Sequence, residues 1–201
     1  MKKLILLSAV VAVSVQAFSQ MFVGGAFSVE MDKTKNATED IYKRTSFGIT
    51  PKVGYYLNDQ FAIGGAIGYT TSSYTYFYGA GDADDTKSTS NNMSISPFIR
   101  YHAVEAGNFS LFVEPMLSIG FGSSKSERGS TTTSDADHSS FGIQISPAMS
   151  YKINDKINIE AYFGGLSYSS STEKEGDNKR TATSFGLEFS SRLALGFIYK
   201  F

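Results

Sequence analysis

The chain has no cysteine in its 201 residues. That absence excludes disulfides, thiolate chemistry and cysteine-ligated metals. It also removes the lipid-modified cysteine that a bacterial lipoprotein needs. Tryptophan is missing too, so the 14% aromatic content is all Phe and Tyr. Charge is sparse, at 18% of residues, and nearly balanced at a net -1. No basic face is implied, and no nucleic-acid partner is expected. Nothing after residue 20 is long and apolar enough to read as a transmembrane helix. What remains is rich in Ser, Thr and Gly, a composition that suits strands and polar loops better than helices.

The N-terminus reads as a cleaved signal peptide over residues 1–19. Lys2-Lys3 form a basic start, Leu4 to Val15 an apolar run, and Ala17 and Ser19 the small residues of a cleavage site. Cleavage is expected after Ser19, leaving Gln20 first, with Ala17 as the alternative. Residues 20–201 then form one exported domain.

A hairpin unit repeats along that domain. Thr50-Pro51-Lys52-Val53-Gly54-Tyr55 is echoed by Ser96-Pro97-Phe98-Ile99-Arg100-Tyr101 and by Ser146-Pro147-Ala148-Met149-Ser150-Tyr151. Eight strands are predicted, at about 21–30, 45–56, 61–74, 92–103, 109–122, 140–153, 157–168 and 184–201. Short turns alternate with long polar loops at 31–44, 75–91, 123–139 and 169–183. Transmembrane barrels have this asymmetry.

Side chains of a strand alternate between its two faces. Odd positions in every predicted strand carry bulky apolar residues and no charge; in the fifth they are Phe109, Leu111, Val113, Pro115, Leu117, Ile119 and Phe121. Even positions carry Ser, Thr and Gly together with Lys52, Arg100, Glu114, Glu160, Glu188 and Arg192. The interior of an eight-stranded barrel is just wide enough for side chains. The small even face fits inside it and the bulky odd face does not. An uncharged outer face also avoids the roughly 2–4 kcal/mol that a charge costs against lipid at mid-membrane. The predicted fold is therefore all-β: an eight-stranded antiparallel up-and-down transmembrane β-barrel. Tyr55, Tyr101, Tyr151 and Tyr199 lie near the short turns, where an aromatic girdle is expected. Pro51, Pro97 and Pro147 share the lipid-facing parity. Each withholds a ladder donor, so weakened pairing or a bend is predicted there, without a register change.

The chain ends Gly196-Phe197-Ile198-Tyr199-Lys200-Phe201. Gly196, Tyr199 and Phe201 resemble the C-terminal assembly signal of bacterial outer-membrane proteins; Ala194 stands where that pattern usually has a polar residue. With the signal peptide and the meander, the chain resembles small outer-membrane β-barrels of the OmpA/OmpX-like superfamily. Its Pro-x-apolar-x-Tyr and Gly-Gly motifs are similar to those of porin-like barrel proteins common in Bacteroidota. The resemblance implies residence in the bacterial outer membrane. It implies contact with the lipid bilayer and lipopolysaccharide, insertion by the barrel assembly machinery, and a monomer without cofactors.

Three functions remain open. The even-face charges can form a structural ion-pair network filling the lumen, in a protein that works through its loops. They can instead line a narrow gated channel. Third, His138-Ser139-Ser140 offers the His-x-Ser of lipid A deacylases, although no Glu follows in that strand. The clusters Asp82-Ala83-Asp84-Asp85 and Asp135-Ala136-Asp137 lack the glycine and terminal Glu of a calcium loop and read as solvated charge. No catalytic, cofactor or metal site is expected.

Overall fold

The computed structural model describes residues 20–36, 39–77 and 85–201; the side chains of Glu39 and residues 188–195 fall outside the described set. So do residues 1–19, which carry the predicted signal peptide, and Asp82 to Asp84. Eight antiparallel strands close into a barrel in chain order: β1 (Met21–Asn36), β2 (Glu39–Tyr56), β3 (Phe61–Tyr76), β4 (Thr86–Ala106), β5 (Phe109–Arg128), β6 (Thr131–Lys152), β7 (Ile157–Glu175) and β8 (Asn178–Lys200).

The strands are much longer than predicted. Three of the four segments read as long loops are mostly β-hairpin: β5 and β6 are joined by residues 129–130 alone, and β7 and β8 by 176–177. Gly129 and Gly176 have φ of 56° and 57°, the left-handed conformation that a two-residue hairpin turn demands. The Ser/Thr/Lys/Asp stretches before and after these turns pair as strands because β-branched Thr favours extended backbone and the partner strand continues the ladder. A crossing needs about 9–11 residues. The 22 residues of β6 therefore project well beyond the apolar band.

The parity reading describes most of the barrel. Inside, Phe22, Phe98, Phe112, Ile198, Arg100, Glu114 and Glu160 are buried, all at even positions. Outside, Ile63, Ile67, Ile95, Ile99, Phe121 and Ile143 are exposed, all at odd positions. The outer half of β7 departs from it. Ile145 pairs with Leu166, but Ala148 pairs with Tyr162, so β7 carries one extra residue around Phe163-Gly164-Gly165. Gly164 and Gly165 sit at φ 90° and 147°, and a Cβ on Gly165 would stand 2.1 Å from the Ile145 carbonyl oxygen. Beyond this bulge it is even-numbered Leu166 and Tyr168 that face outward.

The bulge also corrects the proline prediction at one of three sites. At Pro51 the β2–β3 ladder lapses between Ile49↔Tyr69 and Lys52↔Ala66 and resumes in the same register. At Pro97 the β4–β5 ladder lapses between Ile95↔Ile119 and Phe98↔Met116, again in register. At Pro147 the register shifts, because the missing donor faces the glycine bulge of β7. Among the described residues β1 meets β8 over Phe22–Ala26 only, against Gly196–Lys200.

Candidate functional site

Four of the predicted lumen charges meet in one cluster. Arg100 on β4 reaches across the barrel between carboxylates on β5 and β7. Its Nε donates to Glu114 Oε2 at 2.9 Å and its Nη2 to the same oxygen at 2.5 Å. Toward Glu160, Nη1 donates to Oε1 at 2.6 Å and Nη2 to Oε2 at 3.1 Å. Lys52 on β2 donates to Glu114 Oε1 at 3.0 Å and to the Tyr162 hydroxyl at 2.6 Å. Tyr162 in turn donates to Glu160 Oε2 at 2.9 Å. Arg100, Glu114 and Glu160 are each 1% exposed. Two cations and two carboxylates balance, and the planar guanidinium matches both carboxylates. Charges this deep are tolerated only when paired and hydrogen-bonded.

Aromatic rings seal the cluster. The Arg100 guanidinium lies 4.1 Å from the Phe112 ring centroid and 5.3 Å from that of Phe22. Lys52 Nζ lies 5.2 Å from the Phe98 centroid. These rings fit because glycines line the facing wall. A Cβ on Gly54 would stand 2.2 Å from the Phe22 ring, and one on Gly64 2.4 Å from Phe98. Toward the short turns, His102 stacks between Tyr56 and Phe112 at centroid distances of 5.8 and 5.6 Å, and neither ring nitrogen has a hydrogen-bond partner among the described residues. Across this section the lumen is packed side chain against side chain.

Toward the long hairpins the lumen changes. Hydroxyl pairs replace bulk: Ser96–Ser118 at 2.8 Å, Ser46–Ser72 at 2.9 Å and Ser88–Ser126 at 3.0 Å. A cavity of about 410 Å³ opens there, with Ser90, Ser124, Ser171, His138 and Arg180 on its walls. His138 is bonded through Nε2 to Asn92 Oδ1.

The other predicted residues are placed as follows. The side chains of Glu188 and Arg192 lie outside the described residues. Tyr101 and Tyr151 face outward near the short turns, in ring contact with Phe61 and Phe109 at 5.0 and 4.8 Å. Tyr55 donates from its hydroxyl to Gln20, and Tyr199 packs edge-on against Phe201 at 5.3 Å. Gly196 pairs with Ala26 and Glu160, where the last strand closes on the first. A second aromatic ring escaped the sequence reading: Phe47, Tyr69, Phe121, Phe141, Tyr168 and Phe185 all face outward at the hairpin side of the apolar band. Their outward parity was a signal, and Ser-Phe-Gly at residues 46–48, 140–142 and 184–186 marks Phe47, Phe141 and Phe185, but no motif is shared by all six. Among the described residues no group of His, Asp or Glu is placed to hold a metal.

A closed antiparallel barrel with an apolar outside, two aromatic rings and a polar packed inside is built to cross a membrane with strands. The family model described as "Outer membrane protein beta-barrel domain" matches residues 4–201. The chain belongs to this family. This outer-membrane β-barrel protein resides in the bacterial outer membrane; in barrels of this kind short turns face the periplasm and longer connections the exterior. It is similar to the crystal structure of Neisserial surface protein A (17% identity, TM-score 0.45, 91% of this chain and 98% of that one covered). It is also similar to Ail, the attachment invasion locus protein of Yersinia pestis (15%, 0.42, 90% and 95%). A third similar structure is a major outer membrane protein from Thermus thermophilus (12%, 0.46, 90% and 99%). No curated protein matches the sequence.

Proposed function

We propose that this protein is a sealed, non-catalytic barrel whose work lies outside the cell, at the polar hairpins it holds above the membrane. The observation that carries this reading is the Arg100 bridge between Glu114 and Glu160, which are all but inaccessible to water. A conduction path would have to pass through that bridge and the rings of Phe22, Phe98 and Phe112. The rigid hairpins, each two paired strands, give a binding surface fixed in shape. A signal peptide at residues 1–19, assembly addressed by Gly196, Tyr199 and Phe201, and a monomeric state all fit this reading. The deacylase alternative gains little. His138 and Ser140 share the lumen side, but His138 is engaged by Asn92, and an outer-leaflet acyl chain would have to leave the bilayer to reach them.

Planar-bilayer recording separates the sealed barrel from the narrow channel. Folded protein is expected to be electrically silent. Steady openings whose size changes in Glu114→Ala or Arg192→Ala would establish the channel instead. An altered lipid A acyl pattern that disappears in His138→Ala would establish the enzyme.

A further inference from the structure

The alternation of faces breaks a second time, at the short-turn end of β4. His102 pairs with Phe112 but Val104 pairs with Leu111, so Ala103 is an extra residue in that strand. Beyond it the faces exchange. Val104 is exposed on the apolar outside, and Glu105 stands opposite Ser110, at a lumen-side position. Without the bulge Glu105 would share the outer face with the other odd positions.

Glu105 thereby joins the wall of a cavity of about 220 Å³ at the turn-side mouth of the lumen. In barrels of this kind that mouth opens to the periplasm. Ser110, Ser150, Lys152, Asn158 and Lys200 supply the rest of its polar side chains. The wall runs from β4 through to β8, so Glu105 and Lys200 stand on opposite sides of the barrel.

Three groups in this wall are left unanswered. Asn158 is only 7% exposed. Its Nδ2 donates to Ser150 Oγ at 3.2 Å, but its Oδ1 is buried without a hydrogen-bond partner among the described residues. A buried acceptor is normally satisfied by a donor, from the protein or from a bound molecule. Among the described residues Glu105 has no ion pair. Lys200 has none either; its Nζ lies 5.0 Å from the Tyr56 ring centroid. Lys152 is taken by Asp155 at 2.7 Å. One carboxylate, one ammonium and one amide oxygen are therefore available together.

These three groups select a partner. A plain anion would meet Glu105, and a plain cation would meet Lys200. A molecule with both charges answers both. Its ammonium donates to Glu105 and to Asn158 Oδ1, and its carboxylate accepts from Lys200. Pockets for drug-sized ligands begin near about 300 Å³, so this smaller cavity suits a compact head group. We infer that the turn-side mouth is a binding site for the zwitterionic head group of an amino acid, free or carried on a longer chain. The site lies on the short-turn side of the Arg100 bridge, away from the hairpins, and goes beyond their proposed surface role.

The test titrates the folded barrel in micelles and reads the side-chain amide NMR signal of Asn158, identified by its loss in Asn158→Asp. Alanine, acetate and methylammonium are the probes. Alanine is expected to shift the signal at concentrations about tenfold below either single-charge probe. Glu105→Gln and Lys200→Gln should each weaken the alanine response about tenfold. Different migration of boiled and unboiled protein on gels confirms that each variant is folded. Nε-acetyl-lysine presents the same head group on a long arm. Binding equal to alanine assigns the site to a head group on a chain; binding tenfold weaker assigns it to a free amino acid. Alanine binding no better than acetate or methylammonium would overturn the site, a result that needs no variant. So would an unchanged alanine response in folded Glu105→Gln.

Discussion

The periplasmic and outer halves of the lumen are walled by the same eight strands with the same alternation, yet they are filled in opposite ways. The periplasmic half is crowded: Phe22, Phe98 and Ile198 press against glycines, Phe112 lies over the Arg100 guanidinium, and Arg100 ties two carboxylates together. The outer half is lined by serines in hydroxyl pairs around open space. Backbone closure therefore does not decide whether such a barrel is plugged. Residue volume at even positions does, together with where glycine makes room for it.

The sharpest way to break this contrast is Arg100→Ala. It leaves Glu114 and Glu160 facing each other without their shared counter-charge, and removing one member of a buried ion pair costs about 3–5 kcal/mol. The urea midpoint of the folded barrel in micelles should fall steeply, or folded protein should fail to accumulate. A near-wild-type midpoint would mean that the cluster contributes little. A gentler comparison sets Gly54→Ala against Gly186→Ala. The first drives a methyl into the Phe22 ring and, as overpacking, should cost about 1–3 kcal/mol. The second, in the outer half, meets among the described residues only the Ser167 hydroxyl at 3.9 Å and should be close to neutral. Equal losses would show that both halves are packed alike.

The smallest effect belongs to an ion pair outside the barrel. Lys152 holds Asp155 at 2.7 Å in a short turn, and that hydrogen bond and charge keep the carboxyl below the usual range. A depressed folded pKa gives stability that is present above the unfolded value, about 3.9, and is lost as pH falls through the folded one. Asp155→Asn should therefore differ slightly from wild type at neutral pH and converge with it in acid, as read by thermal unfolding. No convergence would mean that the pair is not formed in solution.

Much of this was legible in the sequence because a membrane barrel writes its two faces in alternate letters. Odd positions from Phe109 to Phe121 and from Phe141 to Tyr151 read as one apolar column, and Lys52, Arg100, Glu114 and Glu160 could be assigned a common interior. Which of them touch could not be read, since contact across a lumen depends on strand tilt and stagger, not on spacing along the chain. The hairpin extensions were hidden for another reason. Alternating Ser, Thr, Lys and Asp carries no apolar phase, so a strand wet on both faces looks like a loop. The phase change in β7 hid behind Gly164-Gly165, which in β3 sits in an unbroken ladder as Gly64-Gly65 and in β7 makes a bulge.

The composition of the plug bears on what could ever move it. An electric potential across a membrane does work on net charge, about 2.3 kcal/mol per elementary charge for each 100 mV. Lys52 and Arg100 cancel Glu114 and Glu160, so voltage exerts no net pull on the four as a group and can at most turn them. Neutralising one carboxylate would leave the group with a surplus positive charge, and only then would a field gain a handle on it.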